Sequence, residues 1–242
     1  GKFFNPGQTG LYWRAQSFAI LPASVATGVI MRVAMPMFSR AGCRPERLRV
    51  MFGRVLGMSV WVLFPVMALL CALSTPVFAL LFNEEWSGAV PMFRIICIAG
   101  MLYPLHALNL CLLNVVGRSD LFLRLEVIKK LLAVLMLCIA VPHGVMAVCW
   151  GLLIVSVVSL VVNTWYSGGY ALFSIFGQIK LVCAPFIMSL ISGVVARIIA
   201  LLFPEDSVFG LLISIAAGIL LYLSLSHLLR LPWGARIAAL KI

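Results

Sequence analysis

Long apolar runs follow one another along this chain, and nearly all of its acidic and basic residues are confined to the short gaps between them. Only three arginines, Arg32, Arg94 and Arg197, fall within the runs. A bilayer core needs about 20 apolar residues per helix, and the chain supplies that length repeatedly. Lipid offers no water to satisfy an open sheet edge. The expected fold is therefore all-α, a polytopic transmembrane helical bundle. Composition agrees, with 64% hydrophobic and 10% charged residues and a mean hydropathy of +1.15, against about 25% charged in soluble domains. A net charge of +11 would suggest nucleic acid as partner for a soluble protein, but here the basic residues read first as topology signals.

About seven spans are predicted in a single domain over residues 1–242, at 17–38, 55–82, 90–116, 125–141, 145–166, 181–203 and 209–229. Residues 2–16 read as a loop, with Tyr12 and Trp13 as an interfacial aromatic pair. Pro22 and Pro36 predict a bent first span. The gap 39–54 carries Arg40, Arg44, Arg47, Arg49 and Arg54 against Glu46 alone. Leu48, Met51, Phe52 and Val55 recur there at helical spacing, which predicts a basic amphipathic helix on the inner leaflet. Leu172, Ile175, Phe176 and Ile179 predict a second interfacial helix, and Pro142-His143-Gly144 a tight turn. Thirteen of the lysines and arginines fall in the gaps 39–54, 117–130, 167–180 and the tail after 229, and two, Lys2 and Arg14, in the opposite gaps. The positive-inside rule then puts the N terminus of the chain outside the membrane and its C terminus in the cytoplasm.

Catalysis has little to use. Glu46, Glu84, Glu85, Asp120, Glu126, Glu205 and Asp206 all fall in gaps, leaving no carboxylate pair within the membrane for acid–base work or metal binding. There is no phosphate-binding glycine loop, H-E-x-x-H helix or G-x-S-x-G turn, so no enzyme, cofactor or metal site is expected. The seven cysteines show no C-x-x-C pair and read as small hydrophobes. The candidate cavity residues are Arg32, Arg94, His106, Asn109 and Arg197. An arginine at a helix centre costs about 2.5–3.5 kcal/mol on insertion scales, so each of the three either faces a wet interior or snorkels to the interface. Tyr103, His106 and Asn109 step by three along one broad face, where they line a cavity or bond neighbouring helices. Ser24, Thr27 and Gly28 permit close helix approach.

Particular stretches carry a resemblance. Gly10-Leu11-Tyr12-Trp13-Arg14-Ala15, Met35-Pro36-Met37-Phe38-Ser39, the run from Gly100 to Leu110 with Tyr103-Pro104-Leu105-His106, and Gly117-Arg118-Ser119-Asp120-Leu121-Phe122-Leu123 resemble Wzx-type polysaccharide flippases. These belong to the multidrug/oligosaccharidyl-lipid/polysaccharide export superfamily. The resemblance implies a protein of about twice this length, with two helix bundles around a cavity, of which this chain is the C-terminal one. Its opening on Gly1 rather than methionine is read the same way, as a fragment lacking an N-terminal bundle. The resemblance further implies transport of an undecaprenyl diphosphate-linked glycan across the bacterial inner membrane by alternating access, with Arg32 on a cavity-bordering span.

Two rival functions stay open on sequence. A drug or cation antiporter of the same superfamily would want a buried carboxylate, which these spans lack. A membrane-embedded glycan polymerase or ligase would be expected to show a large external loop, whereas the outer gaps are a few residues each. A fragment inactive by itself is a third possibility.

Overall fold

Helix is the only regular structure among the residues that the computed structural model describes, 4–41, 44–82, 84–171 and 174–229. In chain order these form α1 (Pro6–Ala41), α2 (Pro45–Ala72), α3 (Ser74–Leu81), α4 (Val90–Met101), α5 (Tyr103–Val115), α6 (Ser119–Ala140), α7 (Val145–Ala171), α8 (Ile175–Ala200) and α9 (Val208–Leu228). Short 3-10 turns at Glu84–Ala89 and Val141–His143 join α3 to α4 and α6 to α7. The all-α transmembrane bundle expected from the apolar runs is the observed fold.

α2 is the hub. It packs along α1, α4 and α8, while α9 covers α8 and α6 pairs with α7 at the other flank. The hub position explains why Leu56, Leu63, Phe64 and Met67 of α2 are all buried, together with Phe93 of α4 and Leu108 and Leu112 of α5. On its α8 side the approach is closer still: a Cβ on Gly193 would lie 3.2 Å from the Ala68 carbonyl oxygen, and one on Gly218 of α9 2.5 Å from Leu69 Cδ2. Small residues at these crossings let the backbones meet, which is how helices gain contact in a solvent as apolar as themselves.

Several boundaries differ from expectation, each for a local reason. The loop foreseen at 2–16 is helical from Pro6, because Asn5-Pro6-Gly7 starts a helix instead of breaking a chain: the Gly7 N–H donates to Asn5 Oδ1 at 3.3 Å and the Thr9 N–H to the Asn5 carbonyl at 3.1 Å. The basic gap at 39–54 is not a surface helix. It supplies the end of α1 and the first turns of α2, where Leu48 and Phe52 are buried in the core with Phe52 6.1 Å from Phe38. The helical period holds, but the apolar stripe is seated in protein, not on lipid. The interfacial helix foreseen around 172–179 is instead the first turn of α8, capped by Ser174 Oγ accepting the Gly177 N–H at 3.2 Å; Leu172 lies outside the described residues. The expected spans 55–82 and 90–116 are each broken, at Leu73 and at Leu102, the latter just ahead of Pro104, which cannot donate to the carbonyl of Gly100.

Six helical stretches among the described residues are long and apolar enough to cross a membrane. The expected seventh, 125–141, is α6, a helix of 22 residues, which at 1.5 Å per residue reaches about 33 Å. It falls outside that set because Arg124, Glu126, Lys129 and Lys130 crowd its first half. Its second half is apolar and faces away from the bundle through Leu131, Val134 and Leu135.

Candidate functional site

The stripe Ser24, Gly28, Arg32, Pro36, Arg40 steps by four along α1, and every member is exposed. The opposite side of the same helix, Ala15, Ala19, Ala23, Ala34 and Phe38, is fully buried against the bundle. Arg32 makes no hydrogen bond or ion pair among the described residues. Ser24 turns its hydroxyl inward to the Leu21 carbonyl at 3.0 Å, and Thr27 Oγ1 is buried without a partner. Exposed Leu21, Val25 and Val29 share this outward face, and within it the cation sits poorly against hydrocarbon. Such a mixed face suits a wet cavity bordered by lipid or a second protein surface.

The other two arginines lie elsewhere. Arg94, half-buried on α4, donates from Nε to Ser74 Oγ and from Nη2 to Thr75 Oγ1, both at 2.8 Å, so it ties α4 to the first turn of α3. Arg197 is half-buried in the last turn of α8, where a cation complements the helix dipole. Neither shares a surface with Arg32: Arg94 and Arg197 stand at the end of the bundle where α1 begins, and Arg32 stands in the other half of α1.

His106 and Asn109 belong to a polar interior between α5, α7 and α8. Asn109 is fully buried, with Nδ2 donating to the Leu105 carbonyl at 2.8 Å and to Gln178 Oε1 at 3.2 Å. In return Gln178 Nε2 and Ser167 Oγ donate to Asn109 Oδ1 at 3.0 and 2.6 Å, so both ends of the amide are saturated. His106 is held by Ser156 Oγ at 3.1 Å on Nε2 and by Asn163 Nδ2 at 3.2 Å on Nδ1. The five residues singled out on sequence therefore divide into an outward arginine, two arginines near one end and an interior pair.

The helix partners went unnoticed on sequence, although the signal was present. Ser156, Asn163 and Ser167 recur at i, i+7 and i+11 in an otherwise apolar run, one face of a helix. Arg14 was likewise passed over. Its guanidinium lies 4.9 Å from the Phe82 ring centre and 4.6 Å from that of Trp86, clamping α1 to the turn before α4. Cys97, Cys111 and Cys149 are buried as expected of small hydrophobes, while Cys138 and Cys183 are exposed on outer faces of α6 and α8. At the opposite end, Gly117 adopts φ +78° and ends α5 in a Schellman turn, with the Arg118 N–H on the Leu113 carbonyl at 2.9 Å and the Gly117 N–H on that of Asn114 at 3.1 Å. Arg118 then forks onto Asp120 at 3.0 Å through both oxygens, holding that exposed carboxyl down at about 2.

Comparison with known proteins fits this architecture. Residues 1–91 match the family profile described as polysaccharide biosynthesis protein. The chain is 28% identical over 229 residues to the teichuronic acid biosynthesis protein TuaB of Bacillus subtilis (strain 168), covering 93% of this chain and 47% of TuaB. It is 26% identical over 163 residues to the lipopolysaccharide biosynthesis protein WzxC of Escherichia coli (strain K12), covering 67% of this chain and 33% of WzxC. Its fold is that of the lipid II flippase MurJ in an inward closed conformation, with a TM-score of 0.77 at 18% identity over 93% of this chain and 48% of MurJ. The chain thus spans about half the length of TuaB and MurJ. The profile and relatives are polysaccharide biosynthesis proteins and the fold is shared with about half of MurJ, which accords with the Wzx-type flippase resemblance drawn from the residues.

Proposed function

We propose that this chain is the C-terminal helix bundle of a transporter that flips lipid-linked oligosaccharides across the bacterial inner membrane for surface polysaccharide synthesis, and that it is not an enzyme. The observation that carries the reading is the exposed α1 stripe around Arg32, a cation without a partner among the described residues. An undecaprenyl diphosphate-linked glycan has an anionic head, a polar sugar and an apolar tail. A guanidinium on a cavity wall offers the head charge-assisted hydrogen bonds, and an N-terminal bundle across the cavity would complete the enclosure. In this reading α1 enters from the periplasmic side, α6 crosses as the seventh span, and the Arg40–Arg54 and Arg118–Lys130 ends face the cytoplasm. Arg94 and Arg197 then lie near the periplasmic surface, and His106 and Asn109 shape the interior beside the cavity.

Complementation of a flippase-null strain tests this with surface glycan as readout. In the complete transporter, Arg32→Ala is expected to cut export at least about tenfold, since hydrogen bonds to a charged group contribute about 1.5–3 kcal/mol. Arg32→Lys is expected to retain part of it, because the charge stays while the bidentate fork is lost. Undiminished export by Arg32→Ala at equal membrane abundance would discard the role of Arg32. Failure of the unaltered transporter to restore glycan, with drug resistance gained instead, would discard the substrate class.

A further inference from the structure

The interior around His106 contains a feature that substrate binding at Arg32 leaves unexplained. Asn163 is fully buried on α7, and its Oδ1 is one of three buried side-chain polar atoms left without a hydrogen bond among the described residues, although its Nδ2 is engaged by the His106 ring. Because Nδ2 is a donor, Nδ1 of His106 must be the acceptor. The ring proton therefore sits on Nε2 and is donated to Ser156 Oγ, which fixes one neutral tautomer. In this arrangement an acceptor, Oδ1, stands idle one amide rotation away from the ring.

We infer that His106, Ser156 and Asn163 form a proton-binding site in the α5–α7 interface, switched by rotation of the Asn163 amide. When Nδ1 takes a proton, the imidazolium has two N–H donors. Turning the Asn163 amide by half a revolution about its last bond brings Oδ1 against Nδ1–H, while Nε2–H remains on Ser156. The number of hydrogen bonds is the same in the two states, and those of the charged ring are charge-assisted, roughly twice as strong as neutral ones. Proton uptake therefore tightens α5 against α7. α5 is separated from α4 by the break at Leu102, so it can respond as a half-helix.

A buried charge also needs compensation. The charged groups whose fields reach the ring are Lys129 and Glu126 of α6, which pair with each other, while α7 meets it with Ser156 and Asn163. Within that pair Lys129 opposes a charge on the ring more strongly than Glu126 favours it, so the charge-assisted bonds to Ser156 and Asn163 carry the compensation. Protonation of this site as the step that drives flipping rests on the transport reading above; the binding of a proton there does not.

Histidine-selective nitrogen NMR of the complete transporter in nanodiscs reads proton occupancy directly, with His106→Gln identifying the signal. The expected result is a ring that is the Nε2–H tautomer at high pH and titrates to a doubly protonated form. In Asn163→Asp the added carboxylate is expected to keep that form to higher pH by about 1 unit or more. A His106 signal that never titrates between about pH 4 and 9, or one indifferent to Asn163→Asp, overturns the site. The export assay separates the two ideas. A normalised pH profile that is flattened in His106→Gln supports the driving role, and one identical to the unaltered protein's overturns it. Absence of glycan export with an intact titration counts against the transport reading alone.

Discussion

Asn109 and Arg32 are both polar residues inside apolar runs, yet their surroundings are opposite. Asn109 is saturated by Leu105, Gln178 and Ser167, and Arg32 has no partner among the described residues. Replacing Asn109 with Leu removes the acceptor of two donors, Gln178 Nε2 and Ser167 Oγ, at about 1–3 kcal/mol for each buried group left unsatisfied. The melting temperature in detergent is expected to fall by several degrees, and pairing the change with Gln178→Leu is expected to restore part of it, since an apolar pair leaves fewer orphans. An unchanged melting temperature for Asn109→Leu would mean that the amide contributes nothing to the bundle. The identities of the polar residues were plain in the sequence. Their roles were not, because an asparagine lining a cavity and one bonded across helices occupy the same step-by-three pattern.

Helices show the same division at their ends and crossings. Spacing located the apolar stripe Leu48, Phe52 and Val55 correctly, but periodicity carries no information on whether such a stripe meets lipid or protein. The tight turn at Gly144, with φ +98°, was legible because the glycine of Pro142-His143-Gly144 permits that conformation at low cost. The α2–α8 crossing was not, since Gly193 is marked as a contact by Ala68 and Ala72, on a helix more than a hundred residues away. Gly193→Leu is expected to overpack that crossing and destabilise the bundle by about 1–3 kcal/mol, seen as earlier thermal unfolding or lower abundance in membranes. Gly28→Leu, at an exposed position with open space around it, is the matched control and is expected to leave bundle stability unchanged.

At the scale of the whole molecule, the proposed topology makes α6 decisive. If α6 crosses, Ser119 and His143, at its two ends and both exposed, lie on opposite sides of the membrane. Single cysteines placed there in a background without reactive native cysteines are expected to label from opposite sides, Ser119→Cys from the cytoplasm and His143→Cys from the periplasm. Labelling of both from one side would leave six spans and reverse the orientation of α7, α8 and α9. The charged tail, Arg230, Arg236 and Lys241, and Cys43 in the basic gap lie outside the described residues, so α6 carries this test better than they do. The sequence alone determined that the chain is an apolar helical bundle with a strong charge asymmetry between alternate gaps, because burying a backbone in lipid leaves helices as the available form and charge is excluded from hydrocarbon. Only the tertiary structure decided which face of each helix is spent on packing: Asn109 inward, Arg32 outward, His106 between Ser156 and Asn163. Those choices depend on contacts between helices distant in the chain, and a pattern read along one helix cannot specify the surface that meets it.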